Sequence, residues 1–277
     1  MSFIRWVKAI CEFLYRRKNK NMPKFILTVW KKELLNPEWT SNIEGFDVVS
    51  VKVADGIKEY HKEDAAEVIE AAGTAGKEVH GWGFHYSTSE DYARKEGEVA
   101  AGLCESLSLS GYHWNAEKEW AASDEPDDNA IAFAQSFRLR APGVKLFANC
   151  FNAPVNEAMI GHFDYYEPMI YGTRISTIAG KFQKRFSTPS IDESKRCAMV
   201  GTGRLNTKNT KQAWGYLNST GSSLDESGLD RLAKDFKPTY LSFFRAGIID
   251  GEDIMMAPND INPVLSDQIS VIKDSIK

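Results

Sequence analysis

The sequence lacks the features that would place it outside the ordinary globular proteins. Its four cysteines, Cys11, Cys104, Cys150 and Cys197, lie far apart and form no CxxC pair, which favours neither a zinc cage nor a disulfide framework. No stretch approaches the roughly 18 consecutive apolar residues that a membrane-spanning helix needs. We therefore expect buried free thiols, no metal and no cofactor.

Acidic residues exceed basic ones overall, but the two kinds are unevenly distributed. Residues 1–24 contain seven basic residues against Glu12 alone, a net charge of +6, and the whole chain carries −4, so the other 253 residues carry −10. An acidic body argues against nucleic acid as its main partner.

Short apolar runs alternate with helical patterns from Met22 onward, as is typical of parallel βα units. We predict a single α/β domain over residues 22–277, an eight-stranded (β/α)8 TIM barrel. The predicted strands are Phe25–Trp30, Asp47–Val53, Glu78–Phe84, Leu109–Asn115, Lys145–Asn149, Glu167–Tyr171, Arg196–Thr202 and Thr239–Arg245. The predicted helices include Lys62–Ala75, Glu90–Ser106, Asn129–Arg140, Asn156–His162 and Asp260–Lys277.

Residues 1–21 form a separate predicted segment. Phe3, Val7, Ile10 and Leu14 recur at helical spacing with basic residues mostly opposite, which predicts a short basic amphipathic helix. A signal peptide would need a longer apolar block and a small-residue cleavage site, and neither is present. Three interpretations remain open: a helix that docks on a membrane surface or a partner protein, a helix that covers the barrel bottom, and an extension ahead of a start at Met22.

In such a barrel the active end is the carboxyl end of the strands, where the βα loops gather. The residues predicted there are mostly aromatic, amide and charged, with almost no Ser or Cys nucleophile. A sugar needs stacking surfaces and polar groups of this kind. The candidates for substrate contact are Trp114, Trp120, His85, His113, Asn149 and Arg245.

The fourth strand carries the residues with the clearest chemistry. Alternation places His113, Asn115 and Glu117 on one face and Tyr112, Trp114 and Ala116 on the other. Glu117 comes where the strand ends, and Glu119 is the alternative acid one alternation further on.

Glycoside cleavage requires an acid that protonates the leaving oxygen and a group that stabilises the developing cation. Enclosure of Glu117 by Trp114, Trp120 and His113 would raise its pKa, as a general acid requires. The second group need not be a carboxylate if a 2-acetamido group of the substrate attacks its own anomeric carbon. Asn115, two residues before Glu117, would then orient that acetamido group.

The run Gly111-Tyr112-His113-Trp114-Asn115-Ala116-Glu117 resembles the Gly-aromatic-x-x-Asn-x-Glu strand of the endo-β-N-acetylglucosaminidases that act by substrate assistance. The wider clan of these enzymes includes the chitinases. Met169-Ile170-Tyr171 is similar to the Met-x-Tyr on the sixth strand of chitinases, whose Tyr contacts the reacting acetamido group. The resemblance thus implies catalytic roles for Glu117, Asn115 and Tyr171.

A second resemblance covers the front half of the chain. The run from Gly45 to Gly56 is similar to the Gly-x-Asp-Phe-x-x-x-Lys-x-x-x-Gly motif of the Chalaropsis-type lysozymes, and Phe84-His85-Tyr86 is similar to their Tyr-His-Phe. These lysozymes have an Asp at the end of strand one, where this chain has Thr28-Val29-Trp30-Lys31, and an Asp at the position of Asn115. The strand-eight Trp of the chitinases is also absent.

These departures leave two hypotheses. In the first, the protein is a retaining hydrolase of N-acetylhexosamine glycans such as peptidoglycan or chitin-like chains, and it uses substrate assistance. In the second, it is a catalytically inactive barrel that serves as a structural or glycan-binding module in a larger assembly such as a phage particle. Without a signal peptide or membrane span, we expect a cytoplasmic or virion-associated protein.

Overall fold

The computed structural model describes residues 23–30, 32, 39–43, 45–150, 155–170, 175–187, 190–201 and 236–246. The predicted amino-terminal helix and the predicted helix Asp260–Lys277 lie outside these residues. The structure therefore tests the predicted barrel strands, but neither of these two terminal helices.

Nine strands of the described residues form one sheet, and eight of these strands form the barrel. The strands are β1 (Lys24–Val29), β2 (Val48–Asp55), β3 (Lys58–Glu59), β4 (Glu78–His85), β5 (Gly111–Ala116), β6 (Lys145–Cys150), β7 (Tyr165–Ile170), β8 (Cys197–Gly201) and β9 (Tyr240–Ala246). The first strand pairs in parallel with both β2 and β9, so the ring closes. All eight predicted barrel strands are confirmed, and the predicted TIM barrel is the observed fold.

Several elements of the described region were missing from the sequence prediction: a short strand, a helix after β5, a helix after β7 and two 3-10 turns. The short β3 pairs antiparallel with the end of β2, across a turn in which Gly56 has a φ of 61°. A further helix follows β7. The helices are α1 (Lys62–Thr74), α2 (Glu90–Ser106), α3 (Lys118–Ala121), α4 (Pro126–Arg140), α5 (Glu157–Gly161) and α6 (Ile175–Ser187), with 3-10 turns at Trp39–Asn42 and Glu193–Lys195.

Helix α2 shows how the sequence builds the outer layer. Ser89 caps its first turn by accepting a hydrogen bond from the Tyr92 amide, and two acidic residues in that turn suit the positive end of the helix dipole. Gly97 allows α4 to approach closely, because a Cβ there would lie 2.4 Å from the Phe133 carbonyl oxygen. The two helices pack together over β4 and β5.

Among the described helices, none combines the length and apolar character that crossing a membrane requires.

Candidate active site

The fourth barrel strand, β5, separates two environments. The residues of β5 with even numbers face the helices, and among them Tyr112 and Trp114 are fully buried. The residues with odd numbers face the barrel axis. The strand begins with Gly111 because the His80 ring of β4 occupies the space beside it, where a Cβ would lie 2.7 Å from three ring atoms.

Glu117 lies one residue beyond β5, at the mouth of the barrel, and it is half-buried. Burial is the main cause that raises its pKa above the usual range, and the nearby charge of Glu119 adds to the effect. Lys118 and a hydrogen bond from Asn115 lower the pKa in part. Glu117 is therefore suited to hold a proton and release it.

The residues paired in register with Asn115 on the neighbouring strands lie at increasing depth in the barrel. The sheet pairs Asp55 with Phe84, Phe84 with Asn115, Asn115 with Asn149 and Asn149 with Glu167. The side chain of Asp55 is 34% exposed, whereas Asn115 is 8%, Asn149 1% and Glu167 0% exposed. Because barrel strands are tilted, neighbours in register lie at successively deeper levels. From the mouth inward, the side chains in register are therefore the two amides Asn115 and Asn149 and then the buried carboxyl group of Glu167.

Glu167 is the centre of a buried hydrogen-bonded cluster on the barrel axis. His113 Nδ1 lies 2.6 Å from Glu167 Oε2, Asn149 Nδ2 donates to the same oxygen over 3.0 Å, and the Ser242 hydroxyl donates to Oε1. A buried carboxylate is tolerated only when its oxygens are hydrogen-bonded or paired with charge. Glu167 meets this requirement with partners from three other strands.

The same cluster continues to the bottom of the barrel. His113 Nε2 lies 3.0 Å from His80 Nδ1, and His80 Nε2 lies 3.1 Å from Glu78 Oε1. Glu78 also contacts Lys24 and Lys145 at the bottom rim. Burial lowers the pKa of His80 to about 4, although the hydrogen bond to Glu78 opposes that shift. We call the chain Glu167–His113–His80–Glu78 the polar column.

A second polar group lies at the mouth, at the end of β2. Lys52 is 6% exposed; its Nζ lies 2.7 Å from Asp55 Oδ2 and 4.0 Å from the centroid of the Tyr60 ring. The Tyr86 hydroxyl donates to Asp55 Oδ1 over 2.9 Å. The hydrogen bond to Asp55 is the main cause that raises the pKa of Tyr86. Sequence reasoning assigned no role to Glu167 and His80, because only the strand registers bring them to His113.

The structure corrects the predicted roles of Trp114 and Trp120. Both rings are fully buried between the sheet and the helices, with their centroids 5.2 Å apart, and Trp114 also contacts Phe133 and Phe163. Trp120 Nε1 donates to the Pro126 carbonyl. Neither ring has a face on which a sugar could stack, because side chains of the core cover them.

The two predicted histidine contacts also lie away from the mouth. His85 faces the helices, where its Nε2 lies 2.9 Å from the Tyr112 hydroxyl and its ring packs on Phe133. His113 faces the axis but is 1% exposed and belongs to the polar column. Both are structural neighbours of the site and do not line it.

Asn115 and Asn149 are in register on neighbouring strands, and Glu117 follows two residues after Asn115 at the mouth. Tyr171 lies outside the described residues. Arg245 belongs to β9, but its side chain is also outside them.

No protein-family model matches the chain, and no curated protein matches it in sequence. Solved structures do share its fold. An endo-β-N-acetylglucosaminidase from Cordyceps militaris has a TM-score of 0.66 at 10% identity, covering 97% of this chain and 96% of that one. A chitinase from Rhizomucor miehei has a TM-score of 0.65 at 11% identity, covering 92% and 100% of the two chains. The spore cortex-lytic enzyme SleL of Bacillus megaterium has a TM-score of 0.62 at 10% identity, covering 89% and 73%. The chain thus shares its TIM-barrel fold with these three proteins.

Proposed function

We propose that the protein is a retaining glycoside hydrolase that cleaves N-acetylhexosamine-containing glycans by substrate assistance. One observation carries the proposal: Glu117 is half-buried at the mouth with a raised pKa, and an amide, Asn115, occupies the inward position before it. An amide at that inward position cannot attack the sugar as a carboxylate would, so it suits a substrate that supplies its own nucleophile.

In the first step the acetamido oxygen of the substrate bonds to the anomeric carbon. The bond from that carbon to the glycosidic oxygen breaks, its electron pair stays on the oxygen, and Glu117 donates its proton there. In the second step a water bonds to the anomeric carbon while the Glu117 carboxylate takes a proton from it. The bond to the acetamido oxygen breaks, the acetamido group is restored, and Glu117 is protonated again.

The substrate class is supported from two sides. The proposed mechanism requires a 2-acetamido group, which both chitin-like chains and peptidoglycan contain. Proteins of the same fold include two described as a chitinase and as a spore cortex-lytic enzyme. In this mechanism Asn115 and Tyr171 hold the acetamido group, and Asp55 with Lys52 borders the glycan at the mouth.

The test compares Glu117→Gln with Glu119→Gln on a nitrophenyl β-chitobioside and on cell walls. We expect the Glu117 variant to lose activity by about 100- to 10,000-fold, the usual contribution of a general acid. The Glu119 variant should retain most activity, because Glu119 belongs to helix α3 and acts on Glu117 only through its nearby charge. Thermal unfolding should be similar for the three proteins.

Equal activity of Glu117→Gln and the wild type would refute the assignment of the acid. Glycan binding without any turnover by the wild type would instead make the barrel a binding module. Hydrolysis of a chain that lacks acetamido groups, at a rate similar to that of the acetylated chain, would exclude substrate assistance.

A further inference from the structure

Asn149, in register with Asn115 on the neighbouring strand, has a buried acceptor atom. Its Nδ2 donates to the main-chain oxygen of Glu167 over 3.1 Å and to Glu167 Oε2 over 3.0 Å. Both partners are acceptors, so the orientation of the amide is fixed by chemistry, with the nitrogen towards Glu167. The opposite atom, Oδ1, has no hydrogen-bond partner among the described residues, although Asn149 is 1% exposed.

Asn115 presents the same kind of atom at the neighbouring register position. The Asn115 side chain lowers the pKa of the Glu117 carboxyl, and a carboxylate accepts only from the nitrogen end of an amide. Asn115 Oδ1 is buried and likewise without a partner in the described part of the chain. A buried unpaired acceptor costs about 1–3 kcal/mol. Two of them on adjacent strands therefore indicate a position for a ligand that donates a hydrogen bond.

The amide of Asn149 contacts a buried carboxyl group, that of Glu167. Glu167 is 0% exposed and lies directly behind the amide nitrogen, where His113 and Ser242 hold it. A carboxylate that accepts from one end of an amide polarises it and makes its oxygen a stronger acceptor. The site thus favours a donor that gains positive charge.

We propose that Asn149 is the residue that selects the 2-acetamido group, its Oδ1 accepting the acetamido N–H together with Asn115 Oδ1. Glu167 acts as a positioning residue behind it. This inference rests on the proposed function. When the acetamido oxygen bonds to the anomeric carbon, positive charge spreads over the nitrogen, carbon and oxygen of the ring that forms. The N–H then becomes a stronger donor, so the hydrogen bond to Asn149 strengthens in the transition state. No proton leaves the nitrogen.

The test uses Asn149→Leu, which keeps the size of the side chain and removes both polar ends. The control is Asn129→Leu, because Asn129 is also buried but donates to Ser123 in the helical layer, away from the barrel axis. The probes are the nitrophenyl β-chitobioside and a thiazoline derived from N-acetylglucosamine, a stable analogue of the cyclic intermediate, used at mildly acidic pH because only its protonated ring nitrogen can donate to Asn149 Oδ1. Its affinity is measured by calorimetry and needs no turnover.

For Asn149→Leu we expect kcat/KM to fall by about 10- to 100-fold, mostly through kcat, with a similar loss of thiazoline affinity, as a lost hydrogen bond to a charged ligand predicts. Glu167→Gln should weaken the thiazoline more than a neutral N-acetylglucosamine disaccharide. A merely structural role would weaken both ligands equally. Asn129→Leu should leave affinity and kcat unchanged.

Wild-type thiazoline affinity in a folded Asn149→Leu protein would overturn the inference, even if Glu167→Gln does not fold. If Glu117→Gln is inactive in the same series, the proposed function stands and only the role of Asn149 fails. A wild type that neither turns over the chitobioside nor binds the thiazoline refutes both.

Discussion

The two faces of β5 have opposite physical characters, although their residues alternate along six positions. Tyr112 and Trp114 on the outer face pack against rings of the helical layer. His113 and Asn115 on the inner face contact polar groups. The outer face therefore contributes to stability through buried area, and the inner face positions polar atoms for a ligand. Substitutions on the two faces should separate stability from activity.

Trp114→Ala should produce the largest loss of stability. The ring is fully buried against three aromatic side chains, so the cavity should cost roughly 5 kcal/mol in the free energy of unfolding. Urea unfolding measures this cost, with Trp114→Phe as the milder control. The folded fraction should keep its KM. A raised KM with unchanged stability would mean that the outer face does contact the glycan.

On the inner face, His113→Leu should cost about 3 kcal/mol, because it leaves Glu167 buried without its imidazole partner. Adding Glu167→Leu should restore part of the loss, since the carboxylate that needs a partner is then gone. The double-mutant cycle is read from urea unfolding of the four proteins. Additive losses would show that the two residues do not interact and that the column is not a unit.

The smallest effect is a dependence of stability on pH. The pKa of buried His80, which faces Glu78, His113 and Lys145, is lowered to about 4 from an unfolded value near 6.5. The unfolded state therefore binds the proton first as the pH falls, and stability declines from pH 6.5 towards 4. From pH 7 to 5 the loss from this group should be about 2 kcal/mol.

The measurement is urea unfolding at several pH values, with His80→Gln for comparison. In the variant, the free energy of unfolding should no longer fall with pH by the amount that His80 contributes. The part of the pH dependence that is due to carboxylates should remain in both proteins. Parallel curves would show that His80 does not titrate between these limits.

Alternation and strand propensity predicted the eight barrel strands, and the position of Glu117 at a strand end followed from them. The same alternation puts Trp114 opposite Asn115, so its burial under a helix was predictable, and assigning it to the glycan overlooked that the outer face is covered. The mistake for His85 has the same origin.

The polar column could not be predicted in the same way. His80, His113 and Glu167 come from three strands and meet only because of the strand registers, which no local pattern specifies. The orientation of the Asn149 amide depends in turn on Glu167. Local sequence thus determines the faces of each strand, and the assembled barrel determines which inward residues touch.

The polar column also constrains how the barrel assembles. If β7 slipped by one residue against its neighbours, Glu167 would exchange faces with Tyr166, whose ring contacts Phe186 in the helical layer. A carboxylate would then be buried among apolar rings, and the imidazole of His113 would lose its acceptor. Many apolar residues would tolerate such a slip, but the hydrogen bonds of the polar column would be lost. The strands that carry it are therefore expected to select one register during folding, so the column favours a single barrel among the closed sheets that the same apolar pattern permits.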